Sequence, residues 1–137
     1  MREILFRGKR IDDGKTVEGL YIFDGFKHYI VKFYTDENAF GTLYPVDETF
    51  EVTPETVGQF TGLTDKNGKR VFEGDIIKRF WLGAEIIYCV QYDGGNARFI
   101  GKAMNKRGFT IFDNDGEMFR IIGNIHDNPE LLEDINA

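Results

Sequence analysis

No serine occurs anywhere in this 137-residue chain, and that absence removes every catalytic arrangement built on a serine nucleophile. Cysteine is nearly as scarce. Cys89 stands alone, so no intrachain disulfide can form, and a reducing, cytoplasmic setting is expected. The same expectation follows from the lack of a basic-then-apolar leader at the N-terminus. Only two histidines are present, His28 and His126, and with Cys89 they are too few and too scattered for a zinc site of four close ligands. Apolar runs all fall short of the roughly 20 residues that span a bilayer, so no membrane partner is expected. Just three prolines and one tryptophan punctuate the sequence.

What is abundant is glycine and the aromatics. Sixteen Gly, thirteen Phe and six Tyr suit pleated, half-buried surfaces joined by tight turns, which leans the chain toward β structure. The formal net charge of −6 opposes binding to nucleic acid through the mean field, so only a local patch could do it. Part of that charge sits at the C-terminal end, where Asp127, Glu130, Glu133 and Asp134 have no basic neighbours.

Turn signals divide the chain at short intervals. Asp12-Asp13-Gly14-Lys15 pairs a first strand with Val17–Phe23, and Asp24-Gly25 precedes a strand over Tyr29–Tyr34. Thr35 to Asn38 reads as a loop, with two short strands, Phe40–Tyr44 and Thr49–Val52, around Pro45. Thr53-Pro54-Glu55 reads as one helical turn capped by Thr53 and marks an internal boundary, giving portions 1–52 and 53–137. Beyond it, Thr56 to Ile77 forms a hairpin around Asp65-Lys66-Asn67-Gly68, with positive φ expected at Asn67 and Gly68. Strands then follow over Glu85–Tyr92, Ala97–Met104, Phe109–Phe112 and Met118–Ile125. Asn128-Pro129-Glu130-Leu131-Leu132 offers a short closing helix. An all-β small barrel or sandwich is the expected fold.

Of three motifs that suggest chemistry, two dissolve on counting. Gly14-Lys15-Thr16 lacks the glycine five positions earlier that a phosphate-binding loop requires, since Lys9 stands there. Asp113-Asn114-Asp115-Gly116-Glu117 has the wrong spacing for a calcium loop and is explained by turn chemistry. Among the many carboxylates, Glu73 and Asp75 are the most suggestive pair, sharing a face suited to acid–base work if their segment is a strand; a bend at Gly74 is the competing reading. Cys89, between Tyr88 and Val90, reads as a packed small hydrophobe.

One cluster points to binding instead. Lys78, Arg79 and Trp81 combine cations with a stacking aromatic, and Arg98, Lys102, Lys106 and Arg107 extend the patch if the fold gathers them.

The sequence also resembles the YopX family, found mostly in bacteriophages and prophages, in three blocks. The first is Phe6 to Arg10 with Gly14 and Val17-Glu18-Gly19; the second runs from Gly58-Gln59-Phe60 through Asp65-Lys66-Asn67-Gly68-Lys69 to Glu73-Gly74-Asp75-Ile76. The third is Ile122 to Leu132. The resemblance implies an N-terminal strand-rich portion and a C-terminal barrel of the Src-homology-3-like type, in a bacterial host cytoplasm. It brings no catalytic residue, metal or cofactor. The expectation for function is a non-enzymatic accessory protein that binds another protein or itself. A nucleic-acid module using Lys78, Arg79 and Trp81, and a carboxylate enzyme using Glu73 and Asp75 or other carboxylates in a cleft, are the alternatives.

Overall fold

The computed structural model describes residues 2–81, 83–104, 108–111 and 119–131. It is all-β, built from two antiparallel sheets, with one 3-10 turn and a short helical stretch that begins at Pro129. Among the described residues no helix is long and apolar enough to cross a membrane. The chain divides into two compact units, 1–59 and 60–137.

The first unit is a meander. Strands β1 (Phe6–Lys9), β2 (Thr16–Phe23), β3 (His28–Glu37) and β4 (Leu43–Glu51) follow in order, and the start of β5 (Gly58–Thr64) pairs with β1, giving the spatial order β4-β3-β2-β1-β5. The turns at Gly14 and Gly25 lie where the Asp-Gly chemistry placed them. One face of this sheet carries the core of Val17, Ile30 and Val52, joined by Phe6, Tyr21, Phe50 and Val57. Two expectations fail here. Thr35 to Glu37 continues β3 rather than looping, and the two short strands around Pro45 are one strand, β4, paired with β3 along its whole length. Proline is tolerated because β4 is an edge strand with no second neighbour to receive its missing N–H. The 3-10 turn Pro54–Thr56 exists, but Thr53 makes no capping bond through its side chain. Thr56 does the bracing: its hydroxyl donates to the Thr53 carbonyl at 2.6 Å and accepts from the Lys9 N–H at 2.9 Å.

In the second unit β5 continues from Phe60 and pairs with β6 (Arg70–Phe72). Strands β7 (Asp75–Trp81), β8 (Ala84–Asp93), β9 (Arg98–Ala103), β10 (Phe109–Ile111) and β11 (Phe119–Asn124) then form a sheet in the order β10-β9-β8-β7-β11. Its core is Val71, Ile77, Tyr88, Val90, Ala103 and Phe119. The two outer strands of this sheet do not pair, so the expected barrel is not closed among the described residues, although the all-β class holds. The Asp113–Gly116 turn and Leu132 lie outside the described residues.

The hairpin between β5 and β6 is held from within. Asp65 is buried, and its carboxylate accepts the N–H groups of Asn67 (2.9 Å), Lys69 (2.9 Å) and, across to β11, Ile121 (3.0 Å). Burial alone would raise its pKa, but the amides of Ile121, Lys69 and Asn67 outweigh that and hold it below the ordinary carboxylate value. Only Gly68 of this turn has positive φ, +80°, whereas Asn67 does not. The Gly68 N–H bonds Asp65 C=O at 3.0 Å and the Asp65 N–H bonds Lys69 C=O at 2.8 Å, the pattern of a type I turn closed by one left-handed residue.

Two tests follow from this turn. Gly68→Val has open space around the new side chain, so only backbone strain of roughly 1–2 kcal/mol remains, and a fall of several degrees in Tm is expected. A Tm equal to the parent's would refute the turn. Asp65→Ala takes the acceptor from three part-buried amides and should cost about 2 kcal/mol near neutral pH in urea unfolding. Because the folded pKa is lowered, the carboxylate's contribution is complete above about 3.9 and fades as pH falls through the folded value. Parent and variant should therefore converge in acid, and a gap independent of pH would exclude an ionised Asp65 as the cause.

Candidate macromolecule-binding surfaces

Strand register sorts the cations that the sequence singles out. In β7, Ile77 and Arg79 point to the side of the core, with Arg79 opposite Ile86 on β8 and Phe119 on β11. Lys78 points the other way, opposite Ile87 and Arg120. Lys102 lies across from Cys89, which lies across from Ile76, so Lys102 shares the Lys78 side. Arg98 shares it too, through its pairing with Asp93, but its Nε is engaged by the Asp93 carboxylate at 3.4 Å. The expected patch is thus split: Lys78, Arg98 and Lys102 on one face, Arg79 on the other. Lys106, Arg107 and the Trp81 side chain lie outside the described residues.

What gathers around Lys78 differs from the sequence reading. A groove of about 210 Å³ is lined by Lys66, Lys78, Phe80, Glu85, Phe119 and Arg120. Phe80 is 61% exposed, and Phe119 is buried. Lys78 Nζ reaches the Glu85 carboxylate at 3.3 Å, leaving Lys66 and Arg120 as exposed cations on the rim. Lys66 arrives because its N–H bonds the Phe119 carbonyl at 3.1 Å, and Arg120 arrives because β11 pairs with β7. Neither contact has a local signal in the sequence. Phe80 did, standing between Arg79 and Trp81 with Lys78 two positions before it.

A second surface was hidden by the loop reading of Thr35–Asn38. From Lys32 to Glu37 on β3, and across most of β4, side chains are exposed on both faces, including Phe33, Tyr34, Leu43 and Tyr44. At the tip, the Asn38 side-chain oxygen accepts the N–H groups of Phe40 (2.9 Å) and Thr42 (3.0 Å), while the Asn38 N–H bonds the Thr42 carbonyl at 3.0 Å. That braced turn presents Phe40 93% exposed. Between Phe33 and Phe50 the chain has Asp36, Glu37, Asp47 and Glu48 and no Lys or Arg. The Tyr34 hydroxyl donates to Glu48 at 2.7 Å, and this bond to a carboxylate, with some burial, pushes the phenol's pKa up to about 12.

The carboxylate pair does not form as a strand pair. Glu73 and Gly74 lie in the turn between β6 and β7, with Gly74 at φ +88°. Asp75 begins β7 fully buried, and its carboxylate accepts the Phe72 N–H at 2.8 Å. The bend at Gly74 removes the common strand face on which shared acid–base work was premised. His28 is committed locally, with Nδ1 2.5 Å from the Tyr21 hydroxyl and its ring stacked on Phe23.

The family described as YopX protein matches residues 6–133. This chain belongs to the YopX family. Among solved structures it is similar to protein EF1440 from Enterococcus faecalis, at a TM-score of 0.62 and 24% identity, over 96% of this chain and 99% of that one. That likeness concerns the fold alone. A search of curated proteins returned no match.

In this YopX family member the single thiol is architectural. Cys89 is buried, and burial above all, with the negative charge of Asp75 adding to it, raises its pKa. A thiol-specific reagent should label the native protein about 100-fold more slowly than the urea-unfolded chain, since labelling must await opening. Equal rates in the two states would show that the thiol is accessible.

Proposed function

We propose that this protein is a non-enzymatic accessory protein of a phage or prophage, working in the bacterial cytoplasm by binding another protein through the β3–β4 arm. One observation carries the reading: the distal arm exposes Phe33, Phe40, Leu43 and Tyr44 together, on both faces of a two-stranded ribbon. Soluble monomers rarely leave such apolar surface contiguous unless it is used. Aromatic anchors on a braced turn lose little freedom on docking, which favours affinity. The four arm carboxylates select a partner surface of opposite sign.

A second reading has its own support. Phe80 beside Lys78 and Arg120 provides a stacking surface with cations, as single-stranded nucleic acid requires. The net charge of −6 weighs against it. A salt-sensitive anisotropy change with a single-stranded oligonucleotide, lost in Phe80→Ala, would promote it over the arm.

The arm reading is tested by placing a photo-crosslinking residue at Phe40 in the full chain, in cells. The control position is Phe26, equally bare at 91% exposed but on the β2–β3 turn. Discrete protein adducts are expected from position 40 and not from 26. The same adducts from both positions, or none from either, would remove the arm as a binding element.

A further inference from the structure

The two surfaces described above match each other. The arm ends in a projecting aromatic, Phe40, with Asp36 and Glu37 beside it in the last residues of β3. The groove opens on another aromatic, Phe80, with the cations Lys66, Lys78 and Arg120 around it and one carboxylate, Glu85, which Lys78 already meets at 3.3 Å. At about 210 Å³ the groove is below the 300–1,000 Å³ of sites that enclose drug-sized molecules, and suits one aromatic side chain. Phe40 and Phe80 are both exposed. We infer that the occupant of the groove is the arm tip of a second copy of this protein, entering end-on with Phe40 seated against Phe80, so that Asp36 on one face of the ribbon and Glu37 on the other flank it toward the cations on the groove's rim.

Charge selects this occupant over others of the same shape. The arm has no cation between Phe33 and Phe50, so a second copy's tip brings negative charge alone to the groove's cations. The brace at Asn38 keeps the tip in one shape, so docking orders few further bonds. Such a contact is heterologous, arm into groove. It closes as a twofold pair if each copy gives and receives an arm, and extends into larger assemblies if it does not.

This inference rests on the reading of the arm as the binding element, and a charge-swap experiment on the full chain separates the two. The arm variant carries Asp36→Lys and Glu37→Lys, and the groove variant carries Lys78→Glu and Arg120→Glu. Sedimentation across a concentration series, with Tm as the check on folding, reads the association. The parent should associate into a dimer or larger species, with an affinity that falls as salt rises. Each variant alone should associate at least tenfold more weakly, and an equimolar mixture should recover the parent's affinity, since both contacts are then between opposite charges. Should a variant lose its fold, Phe40→Asp and Phe80→Asp replace the pairs, and each alone must abolish association. A parent that stays monomeric, a variant that associates like the parent, or a folded mixture with no recovery would overturn the inference. A monomeric parent whose position 40 still crosslinks to a different protein would overturn it while leaving the arm reading intact.

Discussion

A carboxylate taken out of water is costly unless several donors replace the lost hydration, and Asp65 is supplied with three. Two come from its own turn and the third from Ile121, 56 residues away, so one side chain joins a local hairpin to the outer strand of the second sheet. The reciprocal benefit matters as much. The amides of Asn67, Lys69 and Ile121 would otherwise be backbone donors without a partner, and a charged acceptor serves them better than a neutral one. Asp75 repeats the device one turn later, accepting the Phe72 N–H where the backbone bends between β6 and β7. These two aspartates are the buried polar residues among the described residues, and both fall in the second of the three blocks that resemble the family. Both carboxylates hold backbone amides at turns.

The first unit spends its side chains differently. Near β1 and β2, the β3–β4 pair lies over the core formed by Val17, Ile30 and Val52. Beyond Val31 the same two strands continue with both faces exposed. An isolated two-stranded ribbon is marginal in water, so this extension draws its order from the buried end and from the Asn38 brace at the tip. Register is held along the extension by six consecutive residue pairs, from Lys32 opposite Glu48 to Glu37 opposite Leu43. Stability alone gives no reason to extend strands past their core, and still less to furnish them with phenylalanines.

Much of the fold was legible because its signals are local. Asp-Gly turns, alternating apolar residues and the Pro-Glu turn set the positions of nine or so strands to within a few residues. Where the sequence misled, tertiary context overrode propensity. Thr35 to Asn38 is polar and reads as loop, yet pairing with β4 makes most of it strand, and Pro45 is harmless only because β4 lies at an edge. Asn67 has the chemistry for positive φ, but a turn closed by Gly68 needs only one such residue. At the binding surfaces, legibility ended at register. Lys78 and Arg79 are neighbours in sequence and therefore opposites in a strand, a consequence that residue type alone conceals.

Net charge illustrates the same limit from the other direction. A total of −6 argues against polyanions as partners, and taken as a mean field it is right to do so. Yet charges act over about one Debye length, near 8 Å at physiological salt, which is shorter than either unit. Within that range the molecule is not uniformly acidic: between Phe33 and Phe50 the arm has no cation, and the groove has Lys66 and Arg120 exposed. The sum over the chain cannot distinguish a uniformly acidic surface from two opposite ones. Strand pairing can, because it decides which side chains share a face, and here it assigns the two signs to two places, each beside an exposed phenylalanine.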